Sequence, residues 1–130
     1  MAAVTKALFS KGAGTGTAIP IADTADAKGT ATAMGRLESV VFQVAFAKGG
    51  GNDLRVGFEA KQDGSVWAQV ASRRLDLDTV ATPLHTFTAT GVFFVVVERA
   101  HHFVSMRPVV FMSAGPHADD GATVKVLERE

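Results

Sequence analysis

From residue 37 onward, bulky β-forming side chains recur at every second position, and short polar or glycine-bearing breaks separate the runs. Residues 37–47 place Val40, Phe42, Val44 and Phe46 on one face and Val41, Gln43 and Ala45 on the other. Period two with large side chains is the signature of a strand. Lys48-Gly-Gly-Gly-Asn-Asp53 reads as a hairpin loop, after which Leu54, Val56, Phe58 and Ala60 alternate with Arg55, Gly57, Glu59 and Lys61. That alternation predicts an antiparallel strand with one wet face. A turn at Asp63-Gly64 leads into a strand over 66–72 carrying Trp67, and Leu75-Asp-Leu-Asp78 is too short for a helix and reads as a turn or 3₁₀ segment. Pro83 opens a strand through Thr88, residues 91–97 are apolar on both faces, and strands over 103–112 and 122–127 complete the set. About eight strands at this spacing predict an all-β fold, a single antiparallel β-sandwich of jelly-roll type over residues 36–130. Its expected core is Val40, Phe42, Val44, Leu54, Val56, Phe58, Phe94, Val96, Val104, Val124 and Val126.

Residues 1–35 follow a different pattern. They are rich in Ala, Thr and Gly, with β-like segments only over 3–9 and 17–21, and Pro20 demotes the second to an edge. Small side chains and many turn formers predict an extended N-terminal arm that orders against a neighbour, the alternative being a packed part of the same core. Leu8, Phe9, Ile19 and Ile21 are its only sizeable side chains and are its expected partner-binding anchors.

Composition narrows the function classes. The chain has 130 residues, which suits one domain with a substantial core. Hydrophobic residues make up 47% and charged residues 20%, below the usual ~25%, which fits either a surface partly covered by a partner or a small, tightly packed sandwich. Thirteen basic residues balance thirteen acidic ones, and the basic excess that neutralises phosphates is missing; no nucleic-acid partner is expected. With no cysteine, disulfides and thiolate metal sites are excluded. No apolar run approaches the ~20 residues of a membrane span, and Met1-Ala-Ala-Val-Thr-Lys6 lacks a signal-peptide layout, so no membrane partner is expected.

Candidate chemistry is sparse. Gly12-Ala-Gly-Thr-Gly16 lacks the Lys-Ser/Thr ending of a phosphate loop. His101, His102, His117, Asp119 and Asp120 are ligand types for Zn²⁺ or Ca²⁺, but the loops holding them flank one strand and therefore fall at opposite ends of a sandwich. No nucleophile elbow occurs. Glu59, Asp76 and Asp78 read as solvated carboxylates. No catalytic residues, metal or cofactor are expected, and Trp67 reads as a core or inter-sheet residue.

Four stretches carry a resemblance: Asp63-Gly-Ser-Val-Trp67, Phe87-Thr-Ala-Thr-Gly-Val-Phe-Phe94, Phe103-Val-Ser-Met-Arg107 and Gly121-Ala-Thr-Val-Lys-Val126. Their order resembles the β-sandwich virion proteins of tailed bacteriophages, over about half of the chain. The resemblance implies a structural virion protein made in the host cytoplasm. The size and arm single out a capsid cement (decoration) protein on the capsid exterior, with the major capsid protein and further copies of itself as partners. A carbohydrate-binding or tail-fibre sandwich is the alternative.

Overall fold

The structure is a computed structural model and describes residues 3–12, 18–35, 38–50, 53–62, 66–77, 81–113 and 119–129. It is an antiparallel β-sandwich of two sheets. The first sheet contains β1 (Ala3–Lys11), β3 (Ser39–Ala47), β6 (Arg73–Arg74), β8 (Gly91–Glu98) and β10 (Gly121–Arg129), in the order β1-β10-β3-β8-β6. The second runs β2 (Thr32–Ala33), β9 (Ser105–Met112), β4 (Leu54–Lys61), β5 (Ala68–Val70), and β7 (Leu84–Phe87) also pairs with β4. The long strands coincide with the alternating runs, because only that backbone puts every second bulky residue inside. With short β5 and β6 set aside, successive strands change sheet at every step except from β4 to β7, giving β1-β10-β3-β8 and β2-β9-β4-β7, an order compatible with the jelly-roll expectation.

The core lies between the sheets. Cross-strand register stacks Val124 on Val44 and Val126 on Phe42 from β10 to β3. It continues Val44 to Phe93 and Phe42 to Val95 from β3 to β8. Phe42 reaches across to Phe58 of β4, with ring centroids 4.1 Å apart. Of the expected core, Val40, Phe42, Val44, Leu54, Val56, Phe58, Val124 and Val126 are buried in it. Three positions differ. Phe94 is 39% exposed and Val104 54% exposed, and Val96, though buried, lies on the outer side of its sheet. In β8 the inward residues are Phe93, Val95 and Val97, because both of its faces are apolar and alternation alone cannot choose between them.

The expected separation of residues 1–35 as an arm is corrected by the structure. β1 pairs with β10 from Ala3 to Lys11, with a bulge between Ala7 and Phe9 that turns both Leu8 and Phe9 inward. The chain then crosses to the second sheet. Met112 N–H donates to the Pro20 carbonyl, Lys28 bridges Val109, and Thr32 and Ala33 pair with Met106 and Ser105. Small residues here reflect close backbone approach, not mobility. A Cβ at Gly29 would sit 2.5 Å from Pro108 Cγ and 2.7 Å from the Leu8 carbonyl oxygen. The segment shuts one flank of the sandwich.

The excursion between β4 and β8 shuts the other flank. From β5 the chain hops to β6 in the first sheet and returns as β7. Arg74 points inward here, its guanidinium 4.4 Å from the Phe87 ring centroid and 4.9 Å from that of Phe93. Nε and Nη2 donate to the Asp76 carboxylate at 3.0 and 2.7 Å, and Nη1 donates to the Thr86 carbonyl. A charged side chain tolerates this burial because its donors are satisfied and its flat faces lie on aromatic rings.

Candidate functional site: an apolar sheet face

Antiparallel sheets that pack on one side normally turn a polar face to water. The second sheet does so in a modified way. Glu59, nearly buried on its outer face, accepts from Lys28 Nζ at 2.8 Å and from Arg107 Nε at 2.9 Å. Lys28 also pairs with Asp23 at 2.6 Å. Burial alone would lower the Lys28 pKa, but the hydrogen bonds and charges of Asp23 and Glu59 together outweigh it and hold the ammonium above its ordinary value. Trp67 lies on this same side and is half-buried, with Arg107 at 4.1 Å and Lys61 at 5.1 Å from its ring centroid. It is therefore outside the core, contrary to the expectation of a core or inter-sheet residue. Val109 is buried, and Gly57 lets the Pro83 carbonyl and the Leu84 side chain close over the strand. This outer face is largely finished by the chain's own residues.

The first sheet is different. Its outward residues form three rows across β10, β3 and β8. The first row is Leu127–Val41–Val96, the second Lys125–Gln43–Phe94, and the third Thr123–Ala45–Val92. Val92 is 56% exposed, and Val41, Ala45 and Leu127 are half-buried. Leu75, whose N–H donates to the Phe94 carbonyl, extends the apolar surface past β8 and is itself exposed. Lys125 is the one charged side chain within the three rows. A groove of about 300 Å³ opens at the end of this face, lined by Lys11, Ala45, Val92 and Thr123 among others. Exposed apolar surface of this kind makes the face the candidate contact site.

The anchors expected from sequence are placed otherwise. Leu8, Phe9 and Ile19 are buried in the core, so they hold the chain to itself, and only Ile21 is exposed. The outer-face residues escaped sequence reasoning because their apolar character was assigned to the interior. The available signal was a surplus: β8 carries large apolar residues at both parities and β3 adds Val41, more than one core face can take.

The other candidate groups serve structure. Ser72 Oγ lies 2.9 Å from His85 Nε2, a pair that superficially resembles a nucleophile and its base. The same Nε2 is 2.9 Å from the Ser72 carbonyl oxygen, which can only accept, so Nε2 carries the proton and offers the hydroxyl no lone pair. Both residues are buried. Burial, seconded by the Arg74 charge, pushes the His85 pKa below its ordinary value, against the Ser72 carbonyl and Asp76. Asp76 is exposed and held below the usual carboxylate range chiefly by its hydrogen bonds from Arg74.

The His101 and His102 rings lie against each other at a tilt of 36°, 4.3 Å between centroids, on the short 3₁₀ turn 100–102 after β8. Arg99 before them adopts a left-handed backbone, φ 57°. Among the described residues no three His, Asp or Glu side chains gather as a metal site. Asp120 is buried at the other end of the sandwich, where Oδ1 accepts from the Gly49 N–H and ties two loops together. His117, Asp78 and most of the glycine-rich stretch 12–16 lie outside the described residues.

No family model matches the chain, and no curated protein matches it in sequence. In fold it is similar to the crystal structure of SPBc2 prophage-derived protein YomS, with a TM-score of 0.58 over 98% of this chain and 96% of that one. The two are 11% identical, so the likeness is one of fold.

Proposed function

We propose that the protein is a structural component of a tailed-phage particle, a capsid cement (decoration) protein that binds the outside of the head shell and stabilises it. The observation that carries this reading is the exposed apolar outer face of the first sheet, on a sandwich whose flanks are both closed by its own chain. A rigid body with one unfinished face suits a role fulfilled by contact. Zero net charge fits shape-matched apolar packing better than electrostatic steering. The fold likeness to a prophage-derived protein and the virion-protein motifs point the same way. The partners in this reading are the major capsid protein and further copies of the chain. The alternative, a carbohydrate-binding or tail-fibre module, rests on Trp67, whose ring already has Arg107 and Lys61 against it. Mass spectrometry of purified particles tests the reading, together with their rupture temperature in the presence and absence of the protein. Stoichiometric presence and a higher rupture temperature support it. Absence from the particles overturns it, and binding on a glycan array favours the alternative.

A further inference from the structure

The geometry points to a second copy of this chain as the occupant of the apolar face, packed face to face about a two-fold axis that runs along β3. This rests on the reading above in that the face is covered in the working protein, and it gives that contact to a second copy, the shell then being met by other surfaces of the pair. β3 is the central strand of the five in its sheet. A two-fold along a central strand maps each row onto itself and exchanges its ends. In the second row Lys125 of one copy then falls over Phe94 of the other, and Gln43 meets Gln43. The ammonium lies against an aromatic face, a favourable desolvated pairing, and the two amides can donate and accept in turn. In the first row Leu127 meets Val96 and Val41 meets itself; in the third Thr123 meets Val92 and Ala45 meets itself. Ala7, beside Lys125 on β1, falls opposite exposed Leu75 beside Phe94. Leu127, Val96, Val41 and Ala45 gain apolar partners, Lys125 gains a ring, and Arg73, beside Val96 at the sheet edge, keeps its ion pair with Glu98.

The competing two-fold, across the strands, sets Lys125 against its own copy, and like charges at that distance repel. Charge and shape therefore favour one self-complementary arrangement, which is what an isologous contact requires. Size is adequate as well. The four long strands of this sheet are about 27 Å long and together occupy roughly 20 Å of width, so the pair would bury on the order of 1,000 Å² in total, at the lower edge of specific interfaces. Aligned sheets pack at about 30°, which this pairing tolerates because the rows are short.

The test is sedimentation equilibrium of the full chain, paired with a charge swap. The wild-type chain should be dimeric at micromolar concentration. Phe94→Lys sets two ammonium groups against each other at both ends of the second row, and should raise the dissociation constant at least 100-fold with an unchanged circular dichroism spectrum. The double variant Phe94→Lys with Lys125→Phe re-creates the pairing with its ends exchanged, and should recover the dimer. A wild-type monomer at 100 µM, a trimer, or a dimer indifferent to Phe94→Lys overturns the inference. So does a double variant that stays monomeric while folded. Failure here is separable from failure of the virion role. A monomer that still stabilises particles removes the dimer and keeps the role, whereas a dimer absent from particles keeps the dimer and removes the role.

Discussion

The two outer faces of this sandwich are made from the same kind of strand and treated in opposite ways. On the second sheet, Glu59 is enclosed by Lys28 and Arg107, Val109 is buried, and Leu84 closes over Gly57. On the first sheet, Val92 and Phe94 stand in solvent with few charges near them. Alternation along a strand shows that one parity is inside, yet it cannot show whether the other parity meets water, the chain itself, or another molecule. The neighbouring segments decide that. On the proposed reading one side serves the stability of the isolated chain and the other its interactions, and perturbing each side should give unlike results.

Removing residues 1–35 should have the largest effect. The segment supplies Leu8, Phe9, Ile19, Ala27 and Met34 to the buried set and Lys28 to the outer face of the second sheet. Losing a single buried Leu, Ile or Met side chain costs about 2–5 kcal/mol, and domains of this size have about 5–15 kcal/mol in all. The truncated chain is expected to show no cooperative thermal transition by circular dichroism. A sharp transition near that of the full chain would restore the view of this segment as a detachable arm.

Glu59→Ala should come next, at about 2–3 kcal/mol in urea unfolding. It leaves Lys28 and Arg107 partly buried without the carboxylate that both share, and stranded charges are what make such changes expensive. Lys28 retains Asp23, which moderates the loss. Glu59→Gln keeps the shape and acceptor while removing the charge, and should fall between the two. No change in either variant would mean that the network only decorates the surface.

The pH dependence probes the flank that joins the two sheets. His85 has its pKa lowered by burial, so the unfolded chain binds a proton that the folded chain resists. Stability is then fully present above the unfolded value of about 6.5 and is lost as pH falls from there toward the lower folded value. Urea midpoints at pH 7.5 and 5.5 should show the acidic sample less stable, and His85→Gln should flatten that slope. Arg74, whose charge faces His85 beside Asp76, adds to the penalty for protonation. An unchanged slope in His85→Gln would assign the acid sensitivity to carboxylates.

Particular residues explain how far the sequence could be read. Strands β3 and β4 were legible because Phe42, Val44, Val56 and Phe58 alternate with polar or small neighbours. Strand β8 was legible as a strand and not as an orientation, since Phe93 and Phe94 are chemically the same residue and only packing separates them. Val104 misled in a similar way. It shares the parity of Met106, Val110 and Met112 but lies in the bend before β9, where the strand's alternation has not yet begun. The N-terminal segment was misread because Gly and Ala mark close contact as well as freedom, and Gly29 against Pro108 exists only in three dimensions. Trp67 was assigned inward on hydrophobicity, while its indole lies instead against Arg107 and Lys61 on an outer surface. The candidate face was hidden for the same reason as the β8 orientation: apolar residues on a strand were all credited to one core.

The smallest effect on the isolated chain should come from an exposed ring on that face. Phe94→Ser removes a ring that is 39% exposed and outside the core cluster. Surface changes away from buried features stay within about 0.5 kcal/mol, and the serine also weakens some packing along the row to Gln43. Measured at nanomolar concentration by fluorescence of Trp67, where association contributes little, unfolding should shift by roughly 0.5 kcal/mol or less. At high concentration the wild-type chain should gain stability through association while Phe94→Ser gains less, so the gap between them should widen with concentration. The Glu59→Ala deficit should stay constant over the same range, because its contacts lie within one chain. If both gaps move together with concentration, or neither does, the division between a self-finished face and a partner-finished face is wrong. A widening gap for Phe94→Ser alone ties the exposed apolar surface to association and leaves the charged face to the fold.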